Sequence, residues 1–203
     1  MIKDRNIAWK AKRVFIPAIQ FAGLLEDGTS KVLTSLGAGT PVMQEVLAAA
    51  QLAGIAINAA GNEVFHFWPI PRDMDRAMPL RARIHFFHAS TDGDNPVWKV
   101  FYKGIGKTDT LTAANSTPDE TLTLPAHVVS VNANSLEITN WIKSVSETKI
   151  AATDIALLLT VECDGLGSAS ANEITFMGLE LEYTLEACAE QRQDTKYLPL
   201  GGV

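Results

Sequence analysis

The feature that most constrains the fold of this chain is a two-residue alternation of side-chain type in two separate stretches. In Pro79–His88 apolar side chains occupy alternate positions with mostly charged ones between them, and Glu173–Leu185 alternates in a similar way over thirteen residues. Successive side chains of a strand point to opposite faces, so this period is typical of a strand with one buried side. Both stretches therefore predict strands.

Neighbouring stretches extend this pattern. Val97–Tyr102 follows Pro79–His88 after the turn-rich Ala89–Asn95, which predicts a hairpin between the two strands. Asp154–Cys163 is an almost continuous apolar run, as in a central strand, and we expect it to form a long hairpin with Glu173–Leu185. The sequence therefore predicts two hairpins of consecutive strands.

Asn62–Ile70 is apolar on both of its faces. Val64 and Trp68 lie on one side and Phe65 and Phe67 on the other, which is typical of a strand that is covered on both sides. Together with the first predicted hairpin, this strand supplies the side chains that we expect at the centre of the core: Trp68, Ile84, Phe86, Trp98, Val100 and Tyr102.

Two short stretches are helix candidates. Thr40–Ala53 is the better one, because Thr40 can cap a helix, Pro41 suits its first position and Gly54 can end it. A loop or a short strand is the competing interpretation of this stretch. Trp141–Val145 is long enough for one helical turn.

The whole pattern predicts an all-β fold. About seven to nine strands follow one another at a spacing of roughly 8–12 residues, which is typical of a sandwich or barrel. We expect a jelly-roll-like antiparallel β-sandwich over residues 23–186, with one or two short helices. An N-terminal arm with a first strand (1–22) and a C-terminal tail (187–203) extend from it. An immunoglobulin-like sandwich is the alternative, but its Cys…Trp…Cys spacing is missing.

Composition narrows the classes of partner. The net charge of −6 argues against a chain whose task is to neutralise phosphates, so we expect no nucleic acid partner. The apolar runs fall short of the ~20 residues of a membrane-spanning helix, and charges interrupt the first residues, so we expect no membrane partner and no signal peptide. With 47% hydrophobic and 20% charged residues, the chain has either a large core or a surface covered in an oligomer.

The N-terminal stretch is the basic part of the chain. We single out Lys3, Arg5, Trp9, Lys10 and Arg13 as candidate contacts with an acidic surface of a partner; a solvated terminus is the alternative.

No pattern of catalytic or cofactor-binding residues emerges, and we expect no cofactor, no metal and no enzymatic activity. The Gly-Lys-Thr at Gly106–Thr108 lacks the glycine of a phosphate loop, because Phe101 stands at that position. His85 and His88 point to opposite faces of a strand, and two cysteines make neither a zinc site nor a disulfide framework.

Two weaker hypotheses concern chemistry at the surface. A hydrolase would need Asp73 and Asp75 gathered with His66 or His85, although the flanking arginines favour local salt bridges instead. The aromatic side chains of the predicted strands could form a sugar-stacking platform, although such residues are more often core.

Three blocks of the sequence resemble virion proteins of tailed phages. Trp68, Pro71, Asp73 and Asp75 match a Trp-x-x-Pro-x-Asp-x-Asp run. Val97, Trp98, Lys99, Val100 and Tyr102 resemble the Val-x-Trp-Lys-Val-x-Tyr strand that follows it, with no residue between Val97 and Trp98. Arg13–Phe21 resembles the N-terminal strand of that family, and NEITFMGLELEYTLE resembles its last strand.

The resemblance implies a jelly-roll structural protein of the virion that is assembled in the host cytoplasm. Its implied role is a capsid cement or decoration protein, a homotrimer that stabilises the head by binding the major capsid protein or other virion proteins. The alternative is a carbohydrate-binding adhesion module on a head fibre or tail.

Overall fold

A computed structural model describes residues 11–23, 42–47, 52–57, 59–89, 95–110, 118–130, 134–143, 150–166 and 174–186. The strands in chain order are β1 (Ala11–Pro17), β2 (Ala22–Gly23), β3 (Val42–Leu47), β4 (Leu52–Ile57), β5 (Asn62–Pro69), β6 (Arg81–His88), β7 (Val97–Gly106), β8 (Glu120–Thr123), β9 (Ser135–Ile138), β10 (Ile142–Lys143), β11 (Asp154–Gly165) and β12 (Ile174–Thr184). A single 3-10 turn, Ala18–Gln20, is the helical element among these residues.

The strands form two antiparallel sheets that pack face to face. Sheet A has seven strands in the order β10-β6-β12-β4-β3, with β9 beside β6 and β1 beside β12. Sheet B has five strands in the order β2-β5-β11-β7-β8. The long strand β12 is at the centre of sheet A, because β6 pairs along one of its edges while β4 and β1 share the other.

This topology is that of a jelly roll. The inner four strands of sheet A run β4-β12-β6-β9 and those of sheet B run β5-β11-β7-β8. Along the chain, consecutive members of these eight strands lie in different sheets at every step except between β7 and β8. Eight strands connected in this way make the two Greek keys of a double-sheet jelly roll. The predicted fold class is confirmed, and the connectivity differs from that of an immunoglobulin-like sandwich.

Both predicted hairpins are wrong. β6 lies in sheet A and β7 in sheet B, and the same separation holds for β11 and β12. The two strands of each pair face one another across the core, and the rings of Phe86 on β6 and Trp98 on β7 lie 5.6 Å apart. A turn-rich loop between two alternating strands suits a crossing between sheets as well as a hairpin, because the alternation specifies only which side chains are buried.

The predicted helix at Thr40–Ala53 is also wrong, because β3 and β4 occupy this part of the chain. The backbone of Gly54 packs closely on β12, where an added Cβ would lie 2.6 Å from Cγ2 of Thr175. Pairing with β3 and β12 supplies the backbone hydrogen bonds of β4, so the tertiary structure overrides the local helix signals. At the second helix candidate, Ile142 and Lys143 pair with β6 instead.

The core lies between the sheets. Trp68, Ile84, Phe86, Trp98, Val100 and Tyr102 are all buried there. They pack with Phe21 from the segment after β1 and with Phe176 of β12, whose rings meet edge to face at 5.1 Å. Strand β1 belongs to the sandwich, since it pairs with β12 from Ala11 to Pro17. The remaining parts of the predicted arms, 1–10 and 187–203, lie outside the described residues.

Candidate binding surfaces

The residues of the hydrolase hypothesis lie apart from one another. Asp73 accepts a bond from Lys12 at 3.3 Å, His66 contacts the carbonyl oxygen of Gln20 through Nδ1 at 2.9 Å, and His85 bonds Glu180 on the outer face of sheet A. No cleft gathers these side chains within the described residues, so the structure does not support this hypothesis.

The local salt bridges predicted around Asp73 and Asp75 are also wrong. Arg76 turns away from both aspartates and donates through Nη1 to the carbonyl oxygens of Ala151, Ala152 and Asp154, at 2.6–3.0 Å. This side chain therefore fixes the segment that leads into β11.

Metal-ligating and nucleophilic side chains do not form a site in the part of the chain that the structure describes. No group of three or more His, Cys, Asp or Glu side chains there could hold a metal ion. Cys163 is a free, buried thiol, and burial raises its pKa to about 12, which disfavours the reactive thiolate.

None of the described helical residues forms a segment long and apolar enough to cross a membrane.

The outer face of sheet B carries an aromatic patch. In register across β5, β11 and β7, Phe65, Thr160 and Phe101 form one row, and Phe67, Leu158 and Lys103 form the next. Core-facing side chains alternate with these positions, so all six lie on the side away from the core. We call Phe65, Phe67, Phe101 and Leu158 the phenylalanine face.

The phenylalanine face is partly open to solvent. Phe67 is 50% exposed, whereas Thr160 is only 2% exposed between its two neighbouring phenylalanines. The apolar residues on both sides of β5 predicted a strand covered on both faces. Among the described residues no further layer covers this side of sheet B, and the apolar outer positions of β5 therefore contribute to the molecular surface.

The outer face of sheet A carries a charged network. Glu182 on β12 lies between Arg13 on β1 and Arg81 on β6, and accepts bonds from both. One step along the strands, Glu180 accepts a 2.6 Å bond from Nε of Arg83 and contacts Nε2 of His85 at 2.9 Å. We call Arg13, Arg81, Arg83, Glu180 and Glu182 the arginine ladder.

The two glutamates form the floor of the ladder. Their side chains are only 8–11% exposed, while those of Arg13 and Arg81 are about half exposed. Burial by itself raises the pKa of each carboxyl group. The arginine bonds and charges, with His85 at Glu180, outweigh burial and lower the pKa of both glutamates below the usual value.

Trp141 covers the ladder. The guanidinium carbons of Arg83, Arg81 and Arg13 lie 4.6, 5.2 and 5.4 Å from the centre of its ring. At these distances the ring quadrupole attracts the three cations. The next strand adds another cation, because Lys143 pairs in register with Arg81.

An apolar groove adjoins the ladder on the same face. It has a volume of about 340 Å³ and is lined by Phe15, Pro17, Ala18, Ile19, His85, Leu136 and Met177. Ile19 is 76% exposed and Leu136 60% exposed. His85 links the two features, because it bonds Glu180 and its ring meets that of Phe15 edge to face at 5.0 Å.

These surfaces were predicted from the sequence only in part. Of the candidate partner contacts, Arg13 lies in the ladder, whereas Lys3, Arg5, Trp9 and Lys10 lie outside the described residues. Trp141, Glu180 and Glu182 were not singled out. The signal that could have found the glutamates was present, because they occupy the outward positions of an alternating strand, as Arg81 and Arg83 do.

Comparison with known proteins gives no family assignment. No protein-family model matches the chain, and no curated protein matches it in sequence. Among solved structures, the xylan-binding module CBM15 is 11% identical and covers 88% of this chain and 100% of its own, with a TM-score of 0.48.

Two other similar structures each cover 88% of this chain and 98% of their own length. A low affinity xylan-binding module, CBM86 from Roseburia intestinalis, is 12% identical with a TM-score of 0.35. The K1 cleaved adhesin domain of Lys-gingipain from Porphyromonas gingivalis W83 is 10% identical with a TM-score of 0.36. Similarity at this level supports no conclusion about function.

Proposed function

We propose that this chain is a non-catalytic binding module, a structural subunit of a phage virion that attaches to other proteins through the outer faces of its two sheets. The observation that carries this proposal is the phenylalanine face, an apolar surface on three strands whose opposite sides already pack on the core. The resemblance of Trp68–Asp75 and Val97–Tyr102 to phage virion proteins supplies the setting, a cement or decoration protein on the head.

The phenylalanine face suits contact with a second copy of the chain. Burying partly exposed Phe67 and its neighbours removes apolar surface from water, at roughly 25 cal/mol per Å². Apolar sheet surfaces of this kind are typical of obligate interfaces between subunits. We therefore expect a homo-oligomer, with the homotrimer implied by the resemblance.

Light scattering of the purified chain tests the association. We expect an oligomeric mass for the native chain and a smaller mass for Phe67→Lys, because the substitution places a charge in the centre of the interface. The matched control is Val128→Lys, since Val128 is an exposed apolar residue outside both faces. A native chain that is monomeric at all concentrations would contradict self-association.

Electron cryomicroscopy of purified particles tests the setting. Under this proposal the chain appears in density on the surface of the head, bound to the major capsid protein. Particles of the encoding phage that lack the chain, as judged by mass spectrometry, would exclude the virion role.

A carbohydrate-binding adhesion module is the second candidate. The observation that favours it is the same face, where half-exposed Phe67 lies two strands from Lys103 with Leu158 between them. An apolar aromatic surface with a cationic side chain at its edge suits a sugar, whose ring face is apolar and whose edge carries hydroxyl groups. The burial of Trp68 and Trp98 removes the larger rings from such a platform.

A glycan array separates the two candidates. Binding that is lost in Phe67→Ala and retained in Phe15→Ala would support the carbohydrate function, because Phe15 is equally exposed but lies on the opposite sheet. An array without binding, together with an oligomeric mass of the native chain, would exclude the carbohydrate function and support the structural one.

A further inference from the structure

The outer face of sheet A combines a cationic surface with an apolar one. The arginine ladder and the groove meet at His85, and the face lies on the opposite side of the sandwich from the phenylalanine face. We propose that it binds an extended acidic segment of a partner protein, a segment that also carries one large apolar side chain. This inference rests on the proposed attachment through the outer sheet faces but not on self-association, which concerns the phenylalanine face.

The arginines retain donors for an anionic ligand. Arg13 and Arg83 bond the glutamates through Nε, and Arg81 does so through Nη1. Among the described residues, the two terminal nitrogens of Arg13 and those of Arg83 make no hydrogen bond, because only Nε of each side chain is engaged. Two terminal nitrogens of one guanidinium form the planar pair that holds a carboxylate in a bidentate way.

The ladder is ordered before any ligand arrives. The buried carboxylates of Glu180 and Glu182 hold one edge of each guanidinium, and the ring of Trp141 stacks on all three. Ordering an arginine side chain costs up to about 1.5–2 kcal/mol of conformational entropy. Because the fold has already restricted these side chains, less of that cost opposes binding.

The balance of charge favours an acidic protein segment over a polyanion. The three arginines and Lys143 carry four positive charges against two carboxylates, a local excess of two in a chain whose net charge is −6. A sulfated glycan would bring dense negative charge towards the glutamate floor and would leave the groove empty. A protein segment supplies a few carboxylates and an apolar side chain.

The spacing of the two features fits an extended segment. Arg13 and Phe15 are two positions apart on the same side of β1, which places them about 6.4–6.8 Å apart. An extended partner has the same repeat, so a carboxylate on the ladder and an apolar side chain in the groove can come from positions two apart. The groove volume of about 340 Å³ accommodates one large side chain.

Calorimetry with a synthetic probe tests this inference. The probe is a peptide of three glutamates, a serine and a tryptophan, and its partner is the full chain at low ionic strength. We expect binding that weakens as salt is added. Replacing the tryptophan of the probe by serine should weaken binding about tenfold, because the groove then loses its apolar occupant.

Substitutions locate the binding surface. Arg83→Lys keeps the charge but removes the planar pair of donors, and we expect a loss of about tenfold. Lys143→Gln, at an exposed position, should also weaken binding and does not disturb the ladder. Lys107→Gln, on the exposed turn after β7, is the control with the same change in net charge and should bind as the native chain does.

Three results would overturn the inference. No binding of the probe at low ionic strength excludes an acidic partner segment, and an equal loss in Lys107→Gln reduces the effect to net charge. Binding of heparin without binding of the peptide assigns the surface to a sulfated glycan. A thermal unfolding midpoint equal to that of the native chain confirms that each variant remains folded.

Discussion

At the scale of single residues, close approaches of the backbone decide which side chains are tolerated. Gly178 on β12 is the clearest case. The ring of Phe15 lies directly over it, and an added Cβ would be 2.5 Å from Cζ of that ring and 2.7 Å from the carbonyl oxygen of Ile16. The glycine therefore allows the ring to form one wall of the apolar groove.

We predict that Gly178→Ala destabilises the chain by about 1–3 kcal/mol, the usual cost of forcing an extra methyl group into a packed site. Gly165→Ala is the control, because its added Cβ would make only ordinary contacts of 3.9 Å with Val97. Urea unfolding of both variants measures the difference. Equal stabilities would contradict the close approach of Phe15.

Arg76 gives a second prediction at this scale. Its Nη1 atom serves three carbonyl oxygens between Ala151 and Asp154. Removing a charged donor leaves such acceptors without their partner, at a cost of about 1–3 kcal/mol. We therefore expect Arg76→Ala to lower the free energy of unfolding by this amount, whereas Arg72→Ala, at an exposed position in the same segment, should change it little.

At the scale of secondary-structure elements, β12 organises the outer face of sheet A. It contributes both glutamates of the arginine ladder, and two of its neighbours, β1 and β6, contribute the arginines, so the charged pairs also link three strands. Cross-strand pairs of opposite charge contribute roughly 0.2–1 kcal/mol each to sheets. Their protonation should therefore affect how firmly β1 and β6 are held.

The sign of the pH dependence follows from the lowered pKa values of Glu180 and Glu182. A carboxyl group whose pKa is lower in the folded chain stabilises the fold above its unfolded value of about 4.5. That stabilisation is lost as the pH falls through the folded pKa. We predict that native and Glu180→Gln/Glu182→Gln chains differ in unfolding free energy at pH 7 and converge below the folded pKa values.

Denaturant unfolding at several pH values measures this convergence. Glu137 also has a lowered pKa through bonds to Ser130, Ser135 and His127, so the variant should keep part of the acid sensitivity. A difference between the two chains that stays constant from neutral to acidic pH would show that the ladder does not contribute through ionisation.

At the scale of the whole molecule, stability and association depend on different phenylalanines. Phe86 is fully buried between the sheets, while Phe67 lies half exposed on the outer face of sheet B. Folding requires buried side chains such as Phe86, whereas the proposed self-association requires exposed side chains such as Phe67.

We predict that Phe86→Ala lowers the free energy of unfolding by about 3–5 kcal/mol. Phe67→Ala should change the unfolding of the dilute chain by less than about 1 kcal/mol, and should abolish any dependence of the midpoint on protein concentration. Unfolding curves at two protein concentrations separate these effects. A large loss of stability in dilute Phe67→Ala would place this side chain in the core instead.

The local pattern was enough to predict the class of the fold and the composition of its core. A two-residue period depends only on the backbone of the strand itself, so Ile84, Phe86 and Val100 could be assigned to the buried side without knowledge of any partner strand. Pairing is different, because it depends on contacts between distant parts of the chain. The two hairpins were predicted wrongly for this reason.

Local alternation in the sequence was sufficient to predict a β-sandwich and the buried sides of its strands. The three-dimensional structure was needed to assign β6 and β7 to different sheets, to identify β3 and β4 as strands, and to bring Arg13, Trp141 and Glu182 together on one face. Side-chain alternation is a local property, whereas sheet partners and surface sites depend on residues that are distant in the chain, as Arg13 and Glu182 are.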